Sequence, residues 1–143
     1  MTVIKKLNDL DITLSKLSRK KILSLVPTMG SLHKGHISLI KTALKYSDEV
    51  WVSIFVNPTQ FNDINDYKKY PVNSKEDINI IKSIDQNINI FIPGIDDIYG
   101  KKIIRDKFNF DGIDKILEGI KRPGHFNGVA TIVKKLFEIF NPN

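Results

Sequence analysis

The sequence predicts an α/β protein built on a parallel sheet with helices on both faces. Three short apolar runs carry that expectation: Lys21–Pro27 (KILSLVP), Glu49–Val56 (EVWVSIFV) and Asn87–Pro93 (NINIFIP). Continuous apolar, β-branched runs of this length are how strands covered on both faces read. Helically spaced segments lie between them, and strand–helix–strand alternation implies parallel pairing with right-handed crossovers. The chain has 143 residues and neither an internal repeat nor a linker-like stretch, so one domain is expected.

Taken in order, residues 7–19 predict a polar amphipathic helix, with Leu7, Leu10, Leu14 and Leu17 at helical spacing. The strand Lys21–Pro27 runs into a glycine-bearing loop, Thr28–Gly35, and then a helix over His36–Lys45 that places Ile37, Ile40 and Leu44 on one face. After the strand Glu49–Val56 comes a long polar connection, Asn57–Asn73, holding Pro58 and Pro71. Connections of that length are more often functional than idle. Ser74 is expected to cap the next helix, with Asp77 as its capping-box acid and Ile78 and Ile81 facing inward. Asn87–Pro93 gives the third strand, residues 103–110 a fourth, and Asp114–Gly119 a short helix. A loop over Lys121–Gly128 leads to the clearest helix, Val129–Phe140. There Val129, Ile132, Val133, Leu136, Phe137 and Phe140 share a face opposite Lys134, Lys135 and Glu138. Trp51 is expected in the core, Phe126 there too if Pro123 and Gly124 only make a tight turn before the last helix, and Tyr67 and Tyr70, which flank a lysine pair, on a solvated surface.

Composition narrows the function classes. With 41% hydrophobic and 27% charged residues the chain is able to build a core. No apolar run approaches the ~20 residues of a membrane span, and no signal-type block opens the chain, so a cytoplasmic location is expected. Cysteine is absent, which removes disulfides, thiolate nucleophiles and cysteine-ligated metals. The formal charge of +6 suggests nucleic acid at first sight, but 19 of the 22 basic residues are Lys, and only Arg19, Arg105 and Arg122 offer a guanidinium fork. The chain also carries 23 Ile and 12 Asn against two Ala, a skew that points to base composition, so no nucleic-acid partner is expected.

The informative chemistry sits where strands of such a sheet end, the edge at which ligands bind in open α/β folds. His33-Lys34-Gly35-His36 lies between a strand and a helix N-terminus, where unpaired N–H groups and the helix dipole favour an anion. Gly35 removes a side chain where a phosphate approaches the backbone, and the i, i+3 spacing brings both imidazoles to one side. Two imidazole donors suit charge growing on a phosphate under attack; they need not be general bases, since stabilising the leaving pyrophosphate is enough. No carboxylate stands at ligand spacing, so metal ligation by the two histidines is not expected. Neither a P-loop nor a G-x-G-x-x-G fingerprint is present. A His-x-Gly-His element belongs instead to the Rossmann-like nucleotidylyltransferase type of α/β fold.

Three stretches sharpen this: VPTMGSLHKGH at 26–36, SIFVNPTQF at 53–61 and KRPGHFNGVATIVKKLF at 121–137. Together and collinearly they resemble the pantothenate synthetase family, the pantoate–β-alanine ligases. The resemblance implies a two-step reaction. ATP and pantoate give a pantoyl adenylate and pyrophosphate, with Mg2+ accompanying ATP. The β-alanine amine then takes the acyl group and AMP leaves. It further implies that Met29, Gly30, Ser31, Leu32, His33, Lys34, Gly35 and His36 form the ATP loop, with His36 as the catalytic histidine and His33 as its partner on the phosphates. Gln60 would bond pantoate and help place β-alanine, and Asn57 would shape the same pocket. The long 57–73 connection would cover an anhydride that water destroys. Arg122 offers a fork for a phosphate or carboxylate, and His125 shares its Pro–Gly turn.

The resemblance also implies that residues 1–143 are an N-terminal nucleotide- and pantoate-binding domain. In the family a further strand follows the Asn–Pro at 141–142. Lys-Asp…Gln and Ser-Ser-Arg motifs, a smaller C-terminal domain and a homodimer are expected beyond it. No such motifs occur in the 143 residues. On that reading the sheet keeps an unpaired edge, and these residues alone are expected to bind ATP weakly and not to condense the substrates. Two alternatives stay open from the sequence: another nucleotidylyltransferase with a His-x-Gly-His loop, and a non-catalytic remnant.

Overall fold

The computed structural model describes residues 1–116 and 122–143. Four parallel strands form one sheet: β1 (Val3–Ile4), β2 (Leu23–Thr28), β3 (Glu49–Ile54) and β4 (Asn89–Phe91), in the order β1-β4-β3-β2. β3 is fully framed, with Val52 opposite Val26 on one side and Ile90 on the other. Its alternation divides the core in two. Val50, Val52 and Ile54 pack with Val26, Ile40, Ile81 and Ile90 under α2 (Lys34–Tyr46) and α4 (Ser74–Ile84). Trp51 and Phe55 pack with Leu10, Phe91, Ile132, Leu136 and Phe140 under α1 (Leu7–Ser15) and the last helix. The expected helices on both faces are therefore present. At about 25 cal/mol per Å2 of apolar area, each side chain driven fully into these layers contributes about 1.5–3 kcal/mol before entropy is counted.

Several elements differ from expectation for local reasons. β1 was not foreseen: two residues give no periodicity, and its ladder partners Ile90 and Phe91 lie far along the chain. The first helix stops at Ser15, where Lys16 caps it, and the first long strand is displaced to Leu23–Thr28. α2 starts at Lys34, two residues early, because His33 caps it. Asn73, not Ser74, caps α4: its Oδ1 accepts from Glu76 N at 3.2 Å and its Nδ2 reaches Glu76 Oε2 at 2.9 Å. The 57–73 connection holds a 3₁₀ turn at Pro58–Gln60 and α3 (Ile64–Lys69). A short helix not foreseen, α5 (Ile95–Tyr99), follows β4.

Residues 103–110 are not a strand. Their amides go to side chains of the last helix: Asp106 N donates to Thr131 Oγ1 and Phe108 N to Asn127 Oδ1, both at 2.9 Å. A 3₁₀ turn at Ile113–Lys115 stands where a helix over Asp114–Gly119 was expected, and Gly119 lies outside the described residues, as does Lys121 of the expected 121–128 loop. The last helix, α6 (His125–Phe140), starts four residues before Val129. It ends where Asn141 turns left-handed and returns its N–H to Phe137 O. Phe126 is half-buried against Phe110, not in the core.

Candidate active site

Two loops leave the sheet side by side at the carboxyl ends of β2 and β3. The first carries His33 and His36. Their ring centroids are 4.0 Å apart, as the i, i+3 spacing predicts. Each ring is tied to backbone at Nδ1: Gly35 N donates to His33 Nδ1 at 3.1 Å, and His33 N donates to His36 Nδ1 at 3.3 Å. A nitrogen that accepts from a backbone N–H carries no proton, so in the neutral rings both protons sit on Nε2. The pair therefore presents two N–H donors. Burial and the neighbouring His33 push His36 below its ordinary value near 6.5, against a weaker upward pull from Asp77, which keeps it neutral at neutral pH. Gly35 also makes room within the loop itself. A Cβ there would stand 2.9 Å from His33 Cε1, so the clearance admits the capping imidazole.

Upstream in the same loop, Gly30 (φ 80°) and Ser31 (φ 52°) are both left-handed. This turns the Ser31 and Leu32 amides toward α4, where Asp77 Oδ2 and Oδ1 accept them at 3.0 and 2.9 Å. Asp77 is only 2% exposed. Far from closing a capping box on its own helix, it reaches across to the histidine loop. Ser31 Oγ also donates to Pro71 O at 3.0 Å, which ties the loop to the end of the 57–73 connection.

The second loop carries Asn57 and Gln60. Asn57 is fully buried and its amide is spent inside the protein. Its Oδ1 accepts from Thr59 N, Thr59 Oγ1 and the Tyr99 hydroxyl, and its Nδ2 donates to Gly128 O at 3.0 Å and Gln60 Oε1 at 3.1 Å. Asn57 thus braces the turn that carries Gln60, with both ends of its amide engaged by protein groups. The main chain around Gln60 is held as tightly. Arg105 Nε donates to Thr59 O at 2.6 Å and Nη2 to Phe61 O at 3.3 Å, while His125 Nδ1 lies 3.0 Å from Gln60 O. α6 crosses this loop at Gly128, where a Cβ would stand 2.3 Å from Thr59 O and 2.4 Å from Gln60 Cα.

Between the loops lies a cavity of about 220 Å3, bounded by Met29, His36, Gln60 and Tyr70 and walled by Val129, Ile132, Val133 and Leu136 of α6. A second cavity of about 360 Å3 shares Met29, Gln60 and Tyr70 and adds Asp66, Lys69, Arg122 and His125. Met29 and Gln60 line both cavities, His36 the first and Arg122 the second, while Asn57 and His33 line neither. Tyr70, read from sequence as solvated surface, lines both cavities and packs edge-on against Phe61 at 5.8 Å; burial pushes its hydroxyl pKa up. The bonds that Asp77, Arg105 and Tyr99 make here left no signal in the sequence, because each reaches residues more than 40 positions away.

The sequence matches the family described as pantoate-beta-alanine ligase over residues 2–143. The chain belongs to the pantoate-beta-alanine ligase family. Among relatives named pantothenate synthetase, that of Christiangramia forsetii is 50% identical over 123 residues, covering 86% of this chain and 44% of the relative. That of Flavobacterium psychrophilum is 52% identical over 126 residues, covering 88% and 45%. The chain spans about half the length of the curated relatives it matches. A solved pantoate-beta-alanine ligase from Francisella tularensis, complexed with beta-gamma ATP and beta-alanine, superposes with a TM-score of 0.93 at 44% identity, covering all of this chain and 54% of that one. A pantothenate synthetase from Thermus thermophilus gives 0.86 at 33%. The Rossmann-like sheet expected from the sequence is therefore that of the pantoate-beta-alanine ligases. Among the described residues, no helix is long and apolar enough to cross a membrane.

Proposed function

We propose that this chain is the nucleotide- and acid-binding domain of an enzyme that joins pantoate to β-alanine with cleavage of ATP to AMP and pyrophosphate. The observation that carries the proposal is the convergence of His36, Met29 and Gln60 on one cavity whose remaining wall is aliphatic. A small branched hydroxy acid needs both kinds of surface: polar donors for its oxygens and a dry wall for its methyl groups.

The residues divide the work. Gln60 Oε1 is turned inward by Asn57, so Gln60 shows its amide N–H2 to the cavity and takes acceptor oxygens of pantoate. His33 and His36 present Nε2–H to the phosphates of ATP. In the first step a pantoate carboxylate oxygen bonds to the α-phosphorus and the bond to the leaving pyrophosphate breaks. The negative charge released there meets two donors already oriented by backbone. In the second step the β-alanine nitrogen bonds to the acyl carbon, AMP leaves with the C–O bond electrons, and the nitrogen gives up a proton. The second cavity, with Arg122 and Lys69, has cationic groups suited to the β-alanine carboxylate and adjoins Gln60, where the acyl carbon would lie.

The described residues do not form a protein cage for Mg2+. No group of three or more possible ligands gathers among them, and both oxygens of Asp77 are occupied by amides. Mg2+ on this reading travels with the phosphates of ATP, as it commonly does. A cytoplasmic location and a homodimer belong to the same reading of the longer enzyme.

Calorimetric titration of the protein with ATP and Mg2+, then with pantoate, tests the proposal, followed by an assay for pantoate-dependent pyrophosphate release in the full-length context. Binding of both ligands and loss of about 10²–10³-fold in release on His36→Ala are expected. Pyrophosphate release that proceeds equally with an unrelated acid, or with a nucleotidyl acceptor in place of pantoate, would assign the site to another nucleotidylyltransferase.

A further inference from the structure

The turn at Gly30–Leu32 forms a small nest: the successive amides of Ser31 and Leu32 converge on one point, and such concavities of backbone N–H groups commonly take anions. Here the point is already filled. Asp77 places one carboxylate oxygen on each amide, is 2% exposed, and occupies the space a side chain at position 30 would need, since a Cβ on Gly30 would stand 2.8 Å from Asp77 Oδ2. The carboxylate is not needed by its own helix, because Asn73 caps α4 and pairs with Glu76. It spans 45 and 46 residues of sequence to reach the loop.

This inference rests on the reading of His33 and His36 as the phosphate-facing pair. We propose that Asp77 is the positioning residue of that pair: its carboxylate fills the Gly30–Leu32 nest from within, so that the loop meets phosphate through imidazole N–H groups and not through its own backbone. A phosphate entering the nest would have to expel a buried, doubly bonded carboxylate, and the amide donors left in exchange are the same two. Approaching from the imidazole side it meets Nε2–H of both rings and the exposed Lys34, at no such cost. With the nest filled, Ser31 and Leu32 cannot swing, and the His33 cap that begins one residue later starts from a fixed point. The charged and titratable groups that bear on His36 are His33, which lowers its pKa, and Asp77, which raises it; Tyr70 on the 57–73 connection is raised by Asp77 as well.

The first test needs no ligand: amide exchange and histidine titration followed by NMR on the whole chain, native and Asp77→Asn. The asparagine keeps the shape but leaves one acceptor oxygen and turns an N–H2 toward an amide. Exchange at Ser31 and Leu32 is expected to quicken about 10–100-fold while amides of β3 hold their rates. The midpoint of His36 is expected to fall further, because the charge that raised it is gone. Unchanged exchange and an unchanged midpoint would overturn the proposal. If the variant does not fold, the native chain decides by titration with inorganic pyrophosphate. Ring signals of His33 and His36 should move and the Ser31 and Leu32 amides should not; amides moving as far as the rings would overturn it. Pyrophosphate that moves no signal anywhere would count against the proposed function, and the ligand-free measurements then still decide the role of Asp77.

Discussion

Asn57 Nδ2 lies 3.1 Å from Gln60 Oε1, and this one bond decides which end of the Gln60 amide faces the cavity. The direction is not arbitrary. Thr59 N–H, which only donates, fixes Asn57 Oδ1, and Gly128 C=O, which only accepts, fixes Asn57 Nδ2. Two backbone groups thus set the orientation of both side-chain amides, and Gln60 is left as a donor toward its ligand.

Reversing that polarity is the direct check. Asn57→Asp keeps the shape but sets carboxylate oxygens against Gly128 O and Gln60 Oε1. A loss of about 1–3 kcal/mol is expected, or more if the carboxylate stays charged. Urea denaturation gives the loss, and the midpoint should rise less from acid to neutral pH in this variant than in the native chain, because ionising the new carboxyl opposes the rise. A variant as stable as the native chain at neutral pH would contradict the network.

Gln60→Ala removes the donor without disturbing the turn, whose carbonyls are held by Arg105 and His125. In calorimetry, pantoate affinity should fall by about 1–3 kcal/mol with ATP affinity nearly unchanged. An equal loss for ATP would place Gln60 on the nucleotide side of the cavity.

Gly128→Ala tests the closeness of α6 to the Gln60 turn. The new methyl group would meet backbone at 2.3–2.5 Å, which no rotamer change relieves. Overpacking of this kind costs about 1–3 kcal/mol and here should displace Gln60 as well. Thermal melting reports the first effect and pantoate titration the second; a neutral outcome in both would show that α6 has room to withdraw.

The pH dependence follows from His36. Its folded pKa lies below the ordinary value near 6.5. As pH falls through that value the unfolded chain takes up the proton first, so stability declines on the acid side and is regained above it. Denaturation midpoints measured between pH 7 and pH 5 should fall in the native chain and fall less in His36→Gln. Equal slopes in the two would mean that other groups govern the acid limb.

Much of this protein was legible in its residues because the signals were local. Continuous apolar runs gave three of the four strands, the i, i+3 spacing put His33 beside His36, and the intact NPTQF and RPGHF stretches pointed to the family and to Gln60. The tertiary structure decided what those residues are able to do. Asp77 reads as a capping acid three residues after Ser74, and only the approach of α4 to the β2 loop turns its carboxylate onto Ser31 and Leu32. Arg105 reads as a stray cation in a strand, and only the path of 103–110 along α6 sets it on the carbonyls of Thr59 and Phe61. Tyr70 reads as surface until Phe61 and two cavities close around it. Periodicity records how a segment packs on its nearest layer. A hydrogen bond between groups 40 or more residues apart leaves no period in the sequence, and it is such bonds that hold the two loops on which the locally aimed donors sit.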